Sequence, residues 1–222
     1  MRSLAILLAI LLPSQLSWAE DAKIESKIID DDHYSHVLGE IRNYRVHLPS
    51  GYDADTPKRY PVIYFFHGWQ ERYFGVIGSN PYEQGDDNDG DNIATFVSKH
   101  EAIVVKWDGF DPHPDEDYSV TPYNVHGLRT SRQFPLYFPE LVEHIDANYR
   151  TLADRNHRAV SGMSMGGFMA LYIGSKYPHL VCAAGSFCGS PEYMLGPHRF
   201  LAHYRHTEMY NNYDGMKVRL HN

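Results

Sequence analysis

Two short runs of this chain are apolar at both odd and even positions, and this pattern limits the folds that it can adopt. The runs span residues 61–66 and 102–107, and each ends at a turn that contains glycine. A strand with one face in water alternates apolar and polar residues, whereas a strand covered on both faces does not. The runs therefore predict central strands of a sheet that has helices on both sides.

Further strands and helices alternate with these runs along the chain. Residues 41–48 have the two-residue period of a half-buried strand, and residues 21–38 are polar enough for an edge or an arm. The other predicted elements are strands at 157–161, 180–187 and 216–220, and helices at 165–177 and from Pro139, which suits a first helical turn. Strands alternating with helices imply right-handed crossovers. The predicted fold class is α/β, with a mostly parallel sheet between two helix layers.

Residues 1–19 predict a secretory signal peptide. Arg2 precedes the apolar run Leu4–Leu12, and Ser17 and Ala19 are small residues at the positions that a signal peptidase reads. The alternative is a membrane anchor, but nine apolar residues are too few to cross about 30 Å of hydrocarbon as a helix. We expect cleavage after Ala19 and a secreted or periplasmic protein.

The net charge of the chain argues against partners that carry many phosphate groups. Twenty Lys and Arg against 28 Asp and Glu give a net charge of −8, and no basic cluster forms a strip that would neutralise phosphates. We therefore expect neither a nucleic-acid partner nor a membrane partner. The sequence leaves the oligomeric state open.

The two cysteines of the chain are too far apart for a disulfide. Cys182 and Cys188 lie on one predicted strand and its exit, which separates their Cα atoms by roughly 20 Å. We predict buried free thiols.

One glycine-rich motif carries the chemistry of the chain. Residues 162–167 read Gly-Met-Ser-Met-Gly-Gly and join a predicted strand directly to a predicted helix, which gives G-x-S-x-G in a strand-turn-helix context. The turn exposes the Ser164 hydroxyl at the carboxyl edge of the sheet, and the N–H groups of the helix favour negative charge there. The alternative is a glycine-rich helix start with a capping serine. We predict that Ser164 is a nucleophile.

A serine that attacks a carbonyl group needs N–H donors for the oxyanion that forms. The N–H of Met165, directly after the serine, is one predicted donor. The second is the N–H of Trp69, because His67-Gly68-Trp69 leaves an apolar strand at the same edge of the sheet. We expect His67 to brace this turn and not to act as the general base.

Four segments in this order resemble a known family. They are Leu38–Pro49, Arg59–Gly68, Tyr149–Thr151 and Gly162–Phe168. Together they are similar to the putative-esterase branch of the α/β-hydrolases, which includes feruloyl and acetyl-xylan esterases, S-formylglutathione hydrolases and mycolyltransferases. The resemblance implies an α/β-hydrolase fold and serine hydrolysis of carboxylic esters, often acyl or aryl groups on plant polysaccharide, without a cofactor. An exported chain favours the carbohydrate esterases over the cytosolic formylglutathione enzymes.

The chain departs from this family after Ser164. A triad needs a carboxylate and a histidine on loops after later strands, but the chain ends at Asn222 directly after the predicted strand 216–220. We therefore expect the acid and the base beyond Asn222. Residues 20–222 would then be an α/β-hydrolase domain without its last strands and helices: a fragment, a truncated gene product or a chain whose remainder is missing.

Several residues within the chain are alternative members of a triad. Asp214 is a possible acid, although it precedes a strand and so falls at the opposite edge of the sheet from Ser164. The possible bases, by residue type alone, are His198, His203, His206 and His221. Without its acid and base, this chain alone would be poorly active.

Two further patterns point to metals, and we reject both. Residues 84–91 resemble a calcium loop, but alignment on Gly90 places Gly85 at the first ligand and Phe96 at the bidentate glutamate. His203 and His206 share a spacing that suits one helix face, but they lack a third zinc ligand. We predict no metal and no cofactor.

Two functions other than hydrolysis remain open. Acyl transfer to a sugar hydroxyl would use the same residues, and a non-catalytic sugar-binding protein could retain the scaffold. Asp108 or Asp111, after the strand 102–107, could bind a sugar hydroxyl or stabilise its own loop. We predict the esterase, acting on a small-molecule or polysaccharide ester.

Overall fold

The computed structural model describes residues 26–54, 57–68, 71–76, 92–109, 128–189, 213 and 215–221. The strands are β1 (Lys27–Ser35), β2 (Glu40–Leu48), β3 (Val62–Phe66), β4 (Glu71–Arg72), β5 (Gly75–Val76), β6 (Ile103–Trp107), β7 (Arg158–Met163), β8 (Ala183–Phe187) and β9 (Lys217–His221). The helices are α1 (Ile93–Lys99), α2 (Leu128–Asn148) and α3 (Met165–Lys176). None of these helices is long and apolar enough to cross a membrane.

Seven of the strands form one mixed sheet in the order β1-β2-β6-β3-β7-β8-β9. β1 pairs antiparallel with β2, and β2 pairs antiparallel with β6, whereas β6, β3, β7, β8 and β9 are parallel. The predicted α/β class and mostly parallel sheet are confirmed. The carboxyl ends of the five parallel strands lie at one edge, where ligands bind in such sheets.

The two faces of the sheet carry different helices, as the doubly apolar strands predict. On one face, side chains such as Tyr64 and Phe66 of β3 join the main core with α2 and α3. On the other face, Ile63 and Phe65 pack against a second cluster, formed by Ile93 and Val97 of α1 with Val104 of β6. Alternate side chains of β3 thus pack into two different hydrophobic clusters, which explains why this strand is apolar at both odd and even positions.

Helix α2 begins earlier than the sequence predicts, because Pro139 lies inside the helix and not in its first turn. A proline inside a helix removes the N–H that would bond the carbonyl four residues back. Here that carbonyl belongs to Pro135, and it accepts a 2.7 Å hydrogen bond from the Tyr177 hydroxyl. The Tyr177 hydroxyl therefore replaces the helical N–H donor that the Pro135 carbonyl lacks because residue 139 is a proline.

The last strand, β9, confirms the strand predicted at residues 216–220 and lies at an edge of the described sheet. β9 pairs with β8 alone, and its side chains are exposed from Lys217 to Leu220, with Leu220 at 64%. Strand β8 starts at Ala183, three residues later than predicted, because Leu180 and Val181 donate to the Tyr177 carbonyl and close a turn.

Both cysteines are free, as predicted, but the prediction that they are buried is wrong. Cys188 is exposed because it lies in the turn that follows β8, with φ of 52°. Cys182 is half-buried, and its thiol donates to the Asn156 carbonyl at 3.2 Å.

Candidate active site

The turn between β7 and α3 holds Ser164 in a backbone conformation that serine rarely adopts. Its φ is 54° and its ψ is −116°, and such a residue costs on the order of 1–3 kcal/mol, so the surrounding structure must hold it in place. The Ser164 N–H donates to the Phe187 carbonyl at 2.7 Å, and the Phe168 N–H donates to the Ser164 carbonyl at 3.1 Å. The serine is therefore fixed at the tip of a sharp turn between a strand and a helix.

The glycines on either side of Ser164 allow backbones to approach closely. A Cβ atom on Gly166 would lie 1.9 Å from the Phe66 carbonyl oxygen, and one on Gly162 would lie 2.3 Å from the Gly166 carbonyl oxygen. Neither contact is possible for a residue with a side chain. The motif therefore requires glycine at both positions, and the start of α3 presses against the carboxyl end of β3.

The start of α3 provides N–H groups beside Ser164. Met165 is the first residue of the helix, and the first N–H groups of a helix have no acceptor within it. The helix dipole also favours negative charge at this end. Met165 thus occupies the position that the sequence predicts for an oxyanion donor.

The turn after β3 is built around His67, which is fully buried. Its Nε2 accepts from the Gly109 N–H at 2.9 Å, so the proton is on Nδ1, which lies 2.9 Å from the Gly68 carbonyl oxygen. Burial lowers the pKa of His67 to about 4, so the ring is neutral at pH 7. The main chain uses both ring nitrogens, which gives His67 the bracing role that the sequence predicts.

The rest of this turn is held by two acidic side chains. Glu71 Oε2 accepts from the Gly68 N–H at 2.6 Å. The Asp108 carboxylate, after β6, is buried and paired with the Arg72 guanidinium. Asp108 therefore stabilises its loop, one of the two roles that the sequence leaves open, and its partner Arg72 was not predicted.

His221 lies at the same edge of the sheet as Ser164. It is the last residue of β9 and is paired in register with Phe187, on whose ring it stacks with centroids 4.7 Å apart. Its carbonyl oxygen accepts from the Cys188 N–H at 2.7 Å. The strand thus extends one residue further than predicted and includes this histidine.

The remaining predicted site residues lie outside the described residues: Trp69, Asp111, Asp214, His198, His203, His206 and the acidic stretch 84–91. Within the described ranges, no three His, Cys, Asp or Glu side chains lie close enough together to hold a metal ion.

Comparison with models of protein families assigns this chain to a family. The model of the family described as "Putative esterase" matches residues 35–216. The chain belongs to this family. The match includes all four segments on which the resemblance rests, and with them the Ser164 turn of this esterase-family chain.

Two curated relatives carry related names. An endo-1,4-beta-xylanase/feruloyl esterase of Xylanibacter ruminicola is 29% identical over 171 residues, which cover 74% of this chain. An esterase of Mycobacterium tuberculosis is 32% identical over 157 residues, which cover 69% of this chain. The chain spans 22% and 30% of the lengths of these two relatives.

Solved structures share the fold of this esterase-family chain. A ferulic acid esterase is 28% identical, with a TM-score of 0.58 over 86% of this chain and 70% of that chain. A ferulic acid esterase from Anaeromyces mucronatus, in complex with ferulic acid, is 26% identical, with a TM-score of 0.55 over 83% of this chain and 66% of that chain. An S-formylglutathione hydrolase from Staphylococcus aureus, at 14% identity, has a TM-score of 0.60 over 88% of this chain and 78% of that chain. The α/β-hydrolase fold predicted from the sequence is confirmed.

Proposed function

We propose that this chain carries the nucleophile and the oxyanion donors of a secreted serine esterase that cleaves feruloyl or acetyl esters of carbohydrates. The observation that carries the proposal is the conformation of Ser164, whose φ of 54° at a strand-to-helix turn stores strain that a binding protein does not need. Family membership supports ester hydrolysis. The predicted leader at residues 1–19 supports secretion.

The proposed reaction has two halves. In the first, Ser164 Oγ attacks the ester carbonyl carbon while its proton passes to a histidine base, and the N–H groups of Met165 and Trp69 stabilise the oxyanion. Collapse of the tetrahedral intermediate breaks the bond to the alcohol, which leaves with that proton. In the second half, water attacks the acyl-Ser164 ester and releases the carboxylic acid and the free serine. The proposal keeps the base and its carboxylate partner beyond Asn222.

The position of Met165 supports its part in this reaction. A donor in the first turn of α3 adjoins the serine without any movement of the chain, and the Ser164–Phe187 hydrogen bond fixes the start of that turn. An oxyanion donor that needs no rearrangement during the reaction stabilises the transition state most effectively. His67 has no place in the proton transfer, because main-chain groups use both of its nitrogens.

The substrate class rests on the relatives. Four relatives described above exceed 25% identity; they are named feruloyl or ferulic acid esterases or an esterase, and one of them is in complex with ferulic acid. We therefore propose an aromatic or acetyl acyl group on a sugar as the substrate, and we place the acyl carbonyl between Ser164 and the first turn of α3.

Release of ferulate from methyl ferulate by the full-length protein tests this function. Ser164→Ala is expected to lower the rate by about 10⁴-fold or more, because the acyl-enzyme cannot form. Ser161→Ala is the matched control, since Ser161 is also half-buried and lies on β7, the strand that leads into the Ser164 turn, and it is expected to retain the rate. Ferulate release by Ser164→Ala at the rate of the control would contradict the proposal.

A further inference from the structure

Two loops at the carboxyl edge of the sheet are joined at two points. The first joint is the 2.9 Å hydrogen bond from the Gly109 N–H to His67 Nε2. The second joint is the ion pair between Arg72 and Asp108, in which Nε lies 3.2 Å from Oδ1 and Nη2 donates to Oδ2. The loop after β6 therefore holds the loop after β3 at both of its ends.

Asp108 is buried and is held in place by hydrogen bonds to β2. Its side chain is 3% exposed, its N–H donates to the Asn43 carbonyl at 3.1 Å, and its own carbonyl accepts from Arg42 Nη2. Arg42 is itself paired with Glu40 at 2.9 Å. Asp108 is thus fixed to β2 through its main chain, and its carboxylate extends to the less buried Arg72, whose side chain is 26% exposed.

Gly68, directly after His67, lies against the Ser164 turn. A Cβ atom on Gly68 would lie 3.4 Å from the Met163 carbonyl oxygen, directly before the serine. The Gly68 N–H donates to the Glu71 carboxylate at 2.6 Å. The next N–H along the chain is that of Trp69, the second oxyanion donor in the proposed function.

We propose that Asp108 is a positioning residue for the oxyanion donors and acts through Arg72. This inference rests on the proposed function, because it gives the turn after β3 a part in catalysis. A bidentate Arg–carboxylate pair fixes the direction of the arginine side chain as well as its distance from the carboxylate. A lysine in place of the arginine would keep the charge but would lose the bidentate geometry. The pair therefore sets the angle at which the turn meets Ser164, and His67 sets its distance from the loop after β6.

The expected effect falls on kcat and not on KM. Asp108 touches no reacting atom, so loss of its pair leaves ground-state binding in place and shifts the donor from the oxyanion. Loss of a whole oxyanion donor lowers kcat by about 10²–10³-fold, and a displacement of about 1 Å costs up to about 10²-fold. We expect a fall in kcat of about 10–100-fold with KM changed by less than about threefold.

The experiment compares Asp108→Asn, Arg72→Met and Arg72→Lys in the full-length protein, with methyl ferulate as the substrate. Asp146→Asn is the matched control, because the Asp146–Arg158 pair, 2.6 Å long, is also largely buried but lies at the start of β7, at the opposite edge of the sheet. All rates are expressed per folded molecule. We expect Asp108→Asn and Arg72→Met to lose kcat, Arg72→Lys to recover part of it, and the control to keep it.

The rate at which a fluorophosphonate labels Ser164 gives a second readout, because the phosphonyl oxygen enters the same oxyanion site. Slower labelling of Asp108→Asn and Arg72→Met, in proportion to kcat, supports a positioning role, which a purely structural role would not produce. Variants whose kcat and labelling rate match those of Asp146→Asn would overturn this inference and leave the proposed function intact. Absence of Ser164 labelling in the unaltered protein would overturn both. If Asp108→Asn does not fold, the two variants of the partly exposed Arg72 decide the result.

Discussion

The main-chain N–H of Ser164 donates a 2.7 Å hydrogen bond to the carbonyl oxygen of Phe187. This bond ties the tip of the turn between β7 and α3 to the end of the neighbouring strand β8. A strained residue persists only where its surroundings hold it, and here a neighbouring strand does so. The conformation of Ser164 therefore depends on the assembled sheet and not on its own segment alone.

Gly166→Ala is expected to destabilise the protein by more than about 3 kcal/mol, because overpacking against a rigid carbonyl leaves no room for relaxation. The added Cβ would lie 1.9 Å from the Phe66 carbonyl oxygen. Gly51→Ala is the matched control: its φ of +78° costs about 1 kcal/mol, but no atom lies within 4 Å of the added Cβ. Urea denaturation measures both, and equal losses would contradict the assigned close contact.

This turn was also the part of the site most readily predicted from the sequence. G-x-S-x-G is a local motif, and the clashes at Gly162 and Gly166 that explain it involve positions four apart in the chain or the end of the neighbouring strand β3. The central strands were equally clear, because burial on two faces marks every residue of β3. The roles of Trp69 and Asp214 stay predictions.

Contacts between distant residues could not be predicted in the same way. The Arg72–Asp108 pair joins residues 36 positions apart, and the Tyr177–Pro135 bond that supports α2 joins residues 42 positions apart. Neither pair belongs to a periodic pattern or a short motif that could be recognised in the sequence. The exposure of β9 also depends on what lies beside the strand and not on its own composition.

Acidification is expected to lower the free energy of unfolding through protonation of His67. The ring titrates near pH 6.5 when unfolded and at about 4 when folded, so between these values the unfolded chain binds a proton that the native state does not. The free energy of unfolding therefore falls as pH falls below about 6.5, by a total on the order of 3 kcal/mol from this group.

Urea denaturation at pH 7 and pH 5 isolates this contribution. His67→Gln is expected to lose less stability between the two pH values than the unaltered protein. His179→Gln, which removes an exposed imidazole, is the control for the loss of a histidine side chain. The same pH dependence in the His67 variant and the unaltered protein would contradict the buried neutral ring.

Glu140 is expected to anchor the turn between β1 and β2 to α2. Its carboxylate accepts from Ser35 Oγ and from the His36 N–H, each at 2.6 Å. Glu140→Ala leaves these donors without their charged acceptor, so it should cost about 1–3 kcal/mol. Glu143→Ala, at an exposed position of the same helix, should cost less than about 0.5 kcal/mol. Thermal unfolding compares the two, and equal costs would exclude the anchoring role.

The chain of residues 20–222 is expected to self-associate through β9, which is an edge strand of the described sheet. An edge strand offers unpaired backbone groups to another chain. Leu220→Lys, at a side chain 64% exposed on this edge, should lower association in sedimentation velocity experiments. Ile41→Lys is the control, since Ile41 is 62% exposed but lies on β2, which is paired on both sides. An equal effect of both variants would show that surface hydrophobicity, and not the strand edge, drives association.

The most direct test of the central claim is the site of labelling by a fluorophosphonate, located by mass spectrometry of peptides from the full-length protein. The account predicts one labelled residue, Ser164, with labelling abolished in Ser164→Ala and retained in Ser161→Ala. Covalent labelling of another residue, or labelling that persists in Ser164→Ala, would contradict the assignment of Ser164 as the nucleophile.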